Sequence, residues 1–188
     1  MNILIINGHP DNESYVSALF SKYAGSINRN KHDVKILDLS AMKFDPVLRF
    51  GHRKRMEVDA EIELSQESIK WADRLVFFYP IWFGAVPSLL KGWFERVLTP
   101  GFAYNKDGFK ITKHLKNKTA HLVFTSGAPI LWQNISGNLE LKTVKRTLGF
   151  CGIKTVKIDR IGNVGGKLNN AGKLKKFLVH IEKRAENI

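Results

Sequence analysis

The sequence predicts an α/β fold, a parallel sheet with helices on both faces, and three observations carry that expectation. The stretches Ile3-Leu4-Ile5-Ile6 and Leu75-Val76-Phe77-Phe78-Tyr79 are apolar without alternation, as strands are when both faces are covered. Strand-like and helix-like segments then follow one another five times along the chain, the order that builds a parallel sheet with right-handed crossovers. At 188 residues the chain is one domain's worth, with no internal repeat, low-complexity tract or linker. A single domain over residues 1–188 is therefore expected, large enough to bury roughly 70% of its unfolded surface.

The first strand is expected at residues 2–7, followed by a polar loop, Gly8-His9-Pro10-Asp11-Asn12-Glu13, rich in turn formers. Ser14 is placed as the N-cap of a helix, because Tyr15, Val16, Leu19, Phe20 and Tyr23 recur at helical spacing. A strand, a polar loop and a helix start together make an anion site from free N–H groups and the helix dipole. Gly8 is the only glycine of this loop and no Gly-Lys-Ser/Thr follows it. The loop is thus neither the dinucleotide nor the Walker fingerprint.

Residues 34–39 alternate and read as a strand with one less buried face, and Asp38 and Ser40 are placed to start a turn. Residues 41–63 are poorly patterned and are expected to form a long connection with helix near its end. Ile62, Ile69 and Ala72 share one face of a helix that ends before Asp73. The third strand should stop at Pro80, which cannot donate to a ladder. A helix should start beside Pro87, whose fixed φ suits a first turn. Its apolar face holds Leu89, Leu90, Trp93, Phe94 and Val97, with Glu95 and Arg96 assigned to solvent. Thr99-Pro100-Gly101 ends that helix, and a loop follows with its turn at 105–108. The next strand, 120–124, leaves through a loop of mostly small residues at 125–129. Leu141, Val144 and Leu148 mark another helix, expected to close at Gly149. Residues 154–158 make the fifth strand, and Leu168, Ala171, Leu174, Leu178 and Ile181 space out a final helix.

Five strands favour the order 2-1-3-4-5, the flavodoxin-like arrangement, with ligands beyond the carboxyl ends of strands one, three and four. The loops at 8–15, 80–86 and 125–129 meet there. The second is the oddest of the three. Ile81, Trp82, Phe83, Gly84, Ala85 and Val86 lie between two prolines and are almost wholly apolar, where a surface loop would be polar. Such a loop suits a flat apolar ligand, and a flavin ring is the reading adopted.

Composition narrows the class. Hydrophobic content of 44% and charged content of 25% are ordinary for a globular chain. No run approaches the ~20 apolar residues that cross a bilayer, and the first residues lack a basic leader. A cytoplasmic location without an integral membrane segment is the expectation. Cys151 lies in Phe-Cys-Gly-Ile and is the only cysteine, so no internal disulfide forms and the thiol reads as a small buried group. The formal charge of +13 is spread along the chain, with modest clusters at Arg53-Lys54-Arg55 and Lys173-Leu174-Lys175-Lys176. Dispersed basic charge reads as a solvated surface, so no nucleic acid partner is assigned.

Four motifs occur in order over nearly the whole chain: GHPDNESY after the first strand, YPIWFGAVPSLLKGWFERV, GFAY, and LGFCGIK. Together they resemble the flavodoxin-2 family of NAD(P)H:quinone oxidoreductases and related bacterial NAD(P)H-dependent flavin reductases. The resemblance implies that His9, Ser14 and Tyr15 hold a flavin phosphate. It implies that Pro80, Ile81, Trp82, Phe83 and Gly84 lie along the isoalloxazine, and that Thr125, Ser126 and Gly127 bond its polar edge. FMN or FAD as cofactor, NADH or NADPH as donor, a quinone-like acceptor and ping-pong use of one site are implied with it. A homodimer is implied too, with the outer side of the helix at 89–97 in contact. No side chain is assigned as an essential acid or base, because the cofactor carries the chemistry, and no metal is assigned. Val16 stands where many members have Asn. Trp132 falls in the region of a tyrosine that assists quinone reduction in the vertebrate enzymes, which places it in the substrate pocket. No histidine lies between His121 and His180 to complete a Tyr/His relay. Two rival readings remain. Some relatives are ancillary subunits of potassium-efflux antiporters, which would make this chain a peripheral transporter partner. A simple flavodoxin-like electron carrier is disfavoured by the +13 charge, because such carriers are typically acidic.

Overall fold

The computed structural model describes residues 1–51, 53–165 and 171–188; Leu168 of the expected final helix lies outside the described residues. The chain runs β1 (Asn2–Asn7), α1 (Tyr15–Ser26), β2 (Asp33–Asp38), α2 (Ala60–Trp71), β3 (Arg74–Ile81) and α3 (Ser88–Val97). It continues through a ribbon of β4 (Tyr104–Asp107) and β5 (Lys110–Lys113) to β6 (Thr119–Ser126) and α4 (Ile130–Ile135). It ends with α5 (Leu139–Cys151), β7 (Lys154–Ile161) and α6 (Ala171–Glu186). The main sheet has five strands in the order β2-β1-β3-β6-β7, all paired in parallel. With the ribbon set aside, this is the expected 2-1-3-4-5 order.

The unbroken apolar runs are explained by two cores on opposite faces of the sheet. Leu4, Ile6, Leu75, Phe77 and Tyr79 pack with Ile62 and Ile69 of α2, Leu90, Trp93 and Phe94 of α3, and Val144 and Leu148 of α5. Ile3, Ile5, Val76 and Phe78 pack instead with Val16, Leu19, Phe20 and Tyr23 of α1 and Ile181 and Ala185 of α6. Successive strand residues point to opposite faces, so each run serves both cores. Each large side chain buried in this way stabilises the fold by roughly 1.5–3 kcal/mol. Trp93 also keeps its one donor satisfied, giving a 3.0 Å hydrogen bond to Ser65 Oγ.

Several expectations need correction. β3 does not stop at Pro80; it runs through it to Ile81, with Pro80 opposite Thr125 of β6. The carbonyl of Phe78 accepts from Gly8 N at 2.7 Å, so Pro80, two residues on, has its missing N–H on the same side, past the end of β1. No ladder bond is lost. Arg96 is buried rather than solvent-facing. Its guanidinium donates to the carbonyls of Asp45 (2.8 Å) and Glu57 (3.0 Å) and pairs with Asp59 Oδ2 at 3.4 Å. Charge alone suggested a surface position, but a guanidinium can be buried where carbonyl oxygens meet its fork, and here it ties the long connection down on α3. The turn expected at 105–108 is part of the antiparallel β4–β5 ribbon. α5 passes Gly149 and ends at Cys151, capped by Gly152 at φ 103°. α4 was not expected at all. Cys151 is buried, and burial pushes its thiol up to about 11. Among the described residues, no helix is long and apolar enough to cross a membrane.

A polar cluster centred on the buried His121 and Asp159 lies between β6, β7 and the helices α1 and α6, with His180 and Arg184 on its solvent side. His121 Nε2 meets Asp159 Oδ2 at 2.9 Å, His180 Nε2 meets Oδ1 at 2.7 Å, and Arg184 Nε lies 3.4 Å from Oδ2. The Tyr23 hydroxyl is 3.3 Å from His121 Nδ1, so a neutral imidazole with its proton on Nε2 satisfies both sides. Burial lowers the His121 pKa, and the raising effect of Asp159 does not overcome it. Burial alone would raise Asp159, yet its bonds to His121 and His180 and the nearby charges hold it well below the usual carboxylate range. Both shifts are downward, so the unfolded chain takes up protons first as pH falls. Stability should therefore decline as pH drops below about 6.5, through the histidine, and again below about 4, through the aspartate. Removing the hub charge with Asp159→Asn should cost about 3 kcal/mol in urea unfolding at neutral pH. A stability that stays flat on acidification, or an Asn variant as stable as the natural chain, would contradict this account.

Candidate functional site

The three loops leave neighbouring carboxyl ends, because β1 pairs with β3 and β3 with β6. Polar side chains under the first loop set its course. Asn7 Nδ2 donates to Asp38 Oδ1 (3.0 Å) and Ser17 Oγ (3.1 Å), and Ser17 Oγ donates to the Asp11 carbonyl (2.8 Å). Ser14 is the N-cap of α1, with its Oγ accepting from Ser17 N at 3.1 Å. That leaves the first two helical N–H groups, those of Tyr15 and Val16, without a partner among the described residues. His9 Nδ1 accepts from Asp11 N at 2.9 Å, so the ring proton sits on Nε2 as a free donor. Burial lowers the His9 pKa, against a smaller raising effect of Asp11. The Tyr15 hydroxyl is used elsewhere: it donates to the Leu174 carbonyl of α6 at 2.7 Å, and burial pushes it up to about 12.

The second loop is a tight turn. Trp82 and Ala85 exchange both backbone bonds at 2.9 Å, and the two central residues, Phe83 and Gly84, have φ of 48° and 72°. Positive φ at both central positions is the geometry of a type I′ turn. Glycine adopts it freely, but Phe83 holds it at some cost, and its ring stands wholly exposed. Trp82 is 44% exposed and meets the His9 imidazole edge-on, with ring centroids 5.2 Å apart.

The third loop is braced from two sides. Ser126 Oγ donates to the Ala128 carbonyl at 2.9 Å, and Gln133 Nε2 donates to both Ser126 Oγ and the Ala128 carbonyl. The chain leaving β7 crosses against it, with Val164 N donating to the Ser126 carbonyl at 3.0 Å. A Cβ at Gly162 would stand 2.5 Å from the Ala128 oxygen and 2.9 Å from Ile130 N, both backbone atoms. Only glycine permits that approach. The N–H groups of Gly127 and Ala128 have no partner among the described residues.

The loops enclose one cavity of about 610 Å³. It is lined by His9, Ser14 and Tyr15 from the first loop and by Pro80, Ile81, Trp82, Phe83 and Gly84 from the second. Thr125, Ser126 and Gly127 come from the third, and Trp132 from α4. Every candidate residue of the sequence reading therefore lines this space.

The family model of Flavodoxin_2, described as a flavodoxin-like fold, matches residues 1–185. The chain belongs to the Flavodoxin_2 family. A curated relative, NAD(P)H dehydrogenase [quinone] 1 of Cavia porcellus, is 31% identical over 189 residues, covering 86% of this chain and 68% of the relative. The crystal structure of Smu.1420 from Streptococcus mutans UA159 superposes with a TM-score of 0.89 at 30% identity, over 100% of both chains. An FMN-dependent NADH-azoreductase from Bacillus anthracis, solved in complex with FMN, shares the fold with a TM-score of 0.70 at 20% identity, over 99% of this chain and 98% of that one.

This Flavodoxin_2 chain also lines its cavity with Val16 and Ala128 of the loops already placed there, and with four residues that sequence reasoning left aside, Gln133, Ser136, Glu140 and Val164. Gln133 and Ser136 come with α4, whose six residues are too few for a readable period. Glu140 lies in the first turn of α5 and carries no local signal of a cavity position. Asn7 and Ser17 were counted as strand and helix residues, yet they fix the first loop. Ser17→Ala should lower stability by about 1–2 kcal/mol, because Ser17 Oγ serves Asn7, Ser14 and Asp11 at once. Urea unfolding measures this, and an unchanged midpoint would show that the network does not hold the loop.

Proposed function

We propose that this chain is a flavin-dependent NAD(P)H oxidoreductase that reduces quinone-like acceptors. The observation that carries the reading is the meeting, in one cavity, of a helix start with free N–H groups, an aromatic wall and two free backbone donors. A flavin mononucleotide moiety needs each of these. The N–H groups of Tyr15 and Val16, with His9 Nε2–H beside them, are donors without partners among the described residues, and the α1 dipole adds to their pull on a phosphate. Trp82 and Phe83, with Pro80 and Ile81, offer an apolar wall to a flat ring. The N–H groups of Gly127 and Ala128 are donors for the ring carbonyls, where negative charge gathers on reduction. When bound, the flavin supplies hydride acceptance and donation, and the chain supplies anchoring, orientation and exclusion of water.

The names of the relatives point the same way. The Cavia porcellus protein is an NAD(P)H dehydrogenase [quinone], and the Bacillus anthracis azoreductase is FMN-dependent and NADH-dependent by name. The cavity is one space, so donor and acceptor take it in turn, and the kinetics should be ping-pong. Phe83, Leu131, Trp132, Ile135 and Leu139 expose apolar surface, Phe83 and Trp132 from the cavity wall and the others beside it in sequence. A second copy of the chain would cover such a patch, which supports a homodimer.

Purified protein should be yellow, with FMN or FAD identified by chromatography after denaturation, and light scattering should give twice the chain mass. Trp82→Ala and Phe83→Ala should each weaken flavin retention by about tenfold, as expected for loss of an aromatic stacking partner. Steady-state rates with NAD(P)H and menadione should give parallel double-reciprocal lines. A colourless protein that refuses both added flavins would overturn the reading, and intersecting lines would overturn the shared space.

A further inference from the structure

Gln133 and Glu140 line the cavity where α4 meets α5, and the Gln133 amide nitrogen also braces the third loop through Ser126 and Ala128. Each residue is about 5% exposed, and each has a buried Oε1 without a hydrogen-bond partner among the described residues. Native structures seldom leave buried polar atoms unpaired, and such atoms mark places where a ligand or water is held. The Gln133 amide is oriented by its neighbours. Its nitrogen donates to the Ala128 carbonyl at 3.2 Å, and a carbonyl can only accept, so Oε1 is left as the acceptor.

The placement of Glu140 is equally determined. Gly137 and Asn138 turn the chain with φ of 82° and 51°. Arg160 grips that turn, donating to Asn138 Oδ1 at 2.5 Å and Asn134 Oδ1 at 2.7 Å. α5 therefore starts at a fixed point, with Glu140 in its first turn, where the helix dipole favours a carboxylate. The Ser136 hydroxyl, which also lines the cavity, donates to the Gln133 carbonyl at 3.0 Å and adds no free donor. The Tyr79 hydroxyl is buried and has no partner among the described residues. Burial, with the Glu140 charge adding to it, raises its pKa and keeps it protonated.

We propose that Gln133 and Glu140 form a hydrogen-bond-accepting subsite that selects electron acceptors carrying an N–H or O–H donor. The inference rests on the flavin-dependent reading and adds a substrate class to it. A carboxylate and an amide oxygen both accept, and a plain quinone presents only carbonyl oxygens to them. An amino-substituted naphthoquinone presents N–H groups, which would satisfy both orphaned oxygens while its rings lie against Trp132. Sites that bond a substrate N–H or O–H discriminate strongly against analogues lacking it, because the site's own polar groups are then left unpaired.

The test compares kcat/KM for aminonaphthoquinone with kcat/KM for menadione, in excess FMN and NAD(P)H. Three proteins are assayed: the natural chain, Glu140→Leu and Gln133→Leu, each variant removing one acceptor oxygen. Excess FMN removes differences in flavin retention, and any change in the third loop that Gln133 braces acts on both acceptors and divides out of the ratio. The ratio of amino to methyl substrate should fall by about tenfold or more in each variant, the range of a lost hydrogen bond to a charged group or a buried amide. A ratio within about twofold of the natural chain in both variants, which is less than one typical hydrogen bond, overturns the subsite while leaving the flavin reading intact. A natural chain that reduces neither quinone overturns the flavin reading and the subsite with it.

Discussion

Everything at the site depends on the parallel pairing of β3 with β1 on one side and β6 on the other. Ile5 faces Val76 and Phe77 faces Leu122 across those ladders, and both faces of the three strands are buried in separate cores. Such pairing admits only one register, because a slip by one residue would exchange the two cores. With the register fixed, the carboxyl ends of β1, β3 and β6 lie side by side. The three loops leaving them have no choice but to share a space.

The loops are then held by polar groups rather than by apolar packing. Asn7, Ser17 and Asp38 form a chain of hydrogen bonds under the first loop, Trp82 and Ala85 close the second on themselves, and Gln133 and Val164 brace the third. Each uses a donor or acceptor for structure and leaves specific ones over: two N–H groups at the start of α1, His9 Nε2–H, and the N–H groups of Gly127 and Ala128. These unused donors, set beside the wall of Trp82 and Phe83, give the cavity its character. A cavity with donors at separated points and an aromatic side between them suits an anion joined to a flat ring with polar edges.

Much of this was legible in the sequence because the relevant signals are local. Fully buried strands show themselves as apolar runs, and the oddly apolar 81–86 loop between two prolines is visible without any fold. The turn chemistry at Phe83–Gly84 was less visible, since only glycine of the two advertises positive φ. What escaped depends on contacts distant in sequence. Arg96 looked like a surface charge because its partners, Asp45, Glu57 and Asp59, lie in the unpatterned connection. Pro80 looked like a strand end because nothing in the sequence says that β1 stops before it. Gln133 and Glu140 carry no local signal of a site, and only the fold brings them into one cavity. α4 is a short helix after Pro129, with no side-chain cap to announce it.

The central claim is that the cavity binds a flavin by its phosphate and its ring together. Titrating the flavin-free protein with FMN and with riboflavin, and following flavin fluorescence, separates the two contributions. The account predicts that both are quenched and that FMN binds tighter by about tenfold or more, the worth of charge-assisted bonds at a helix start. Equal affinity for the two, or no binding of either, would contradict it.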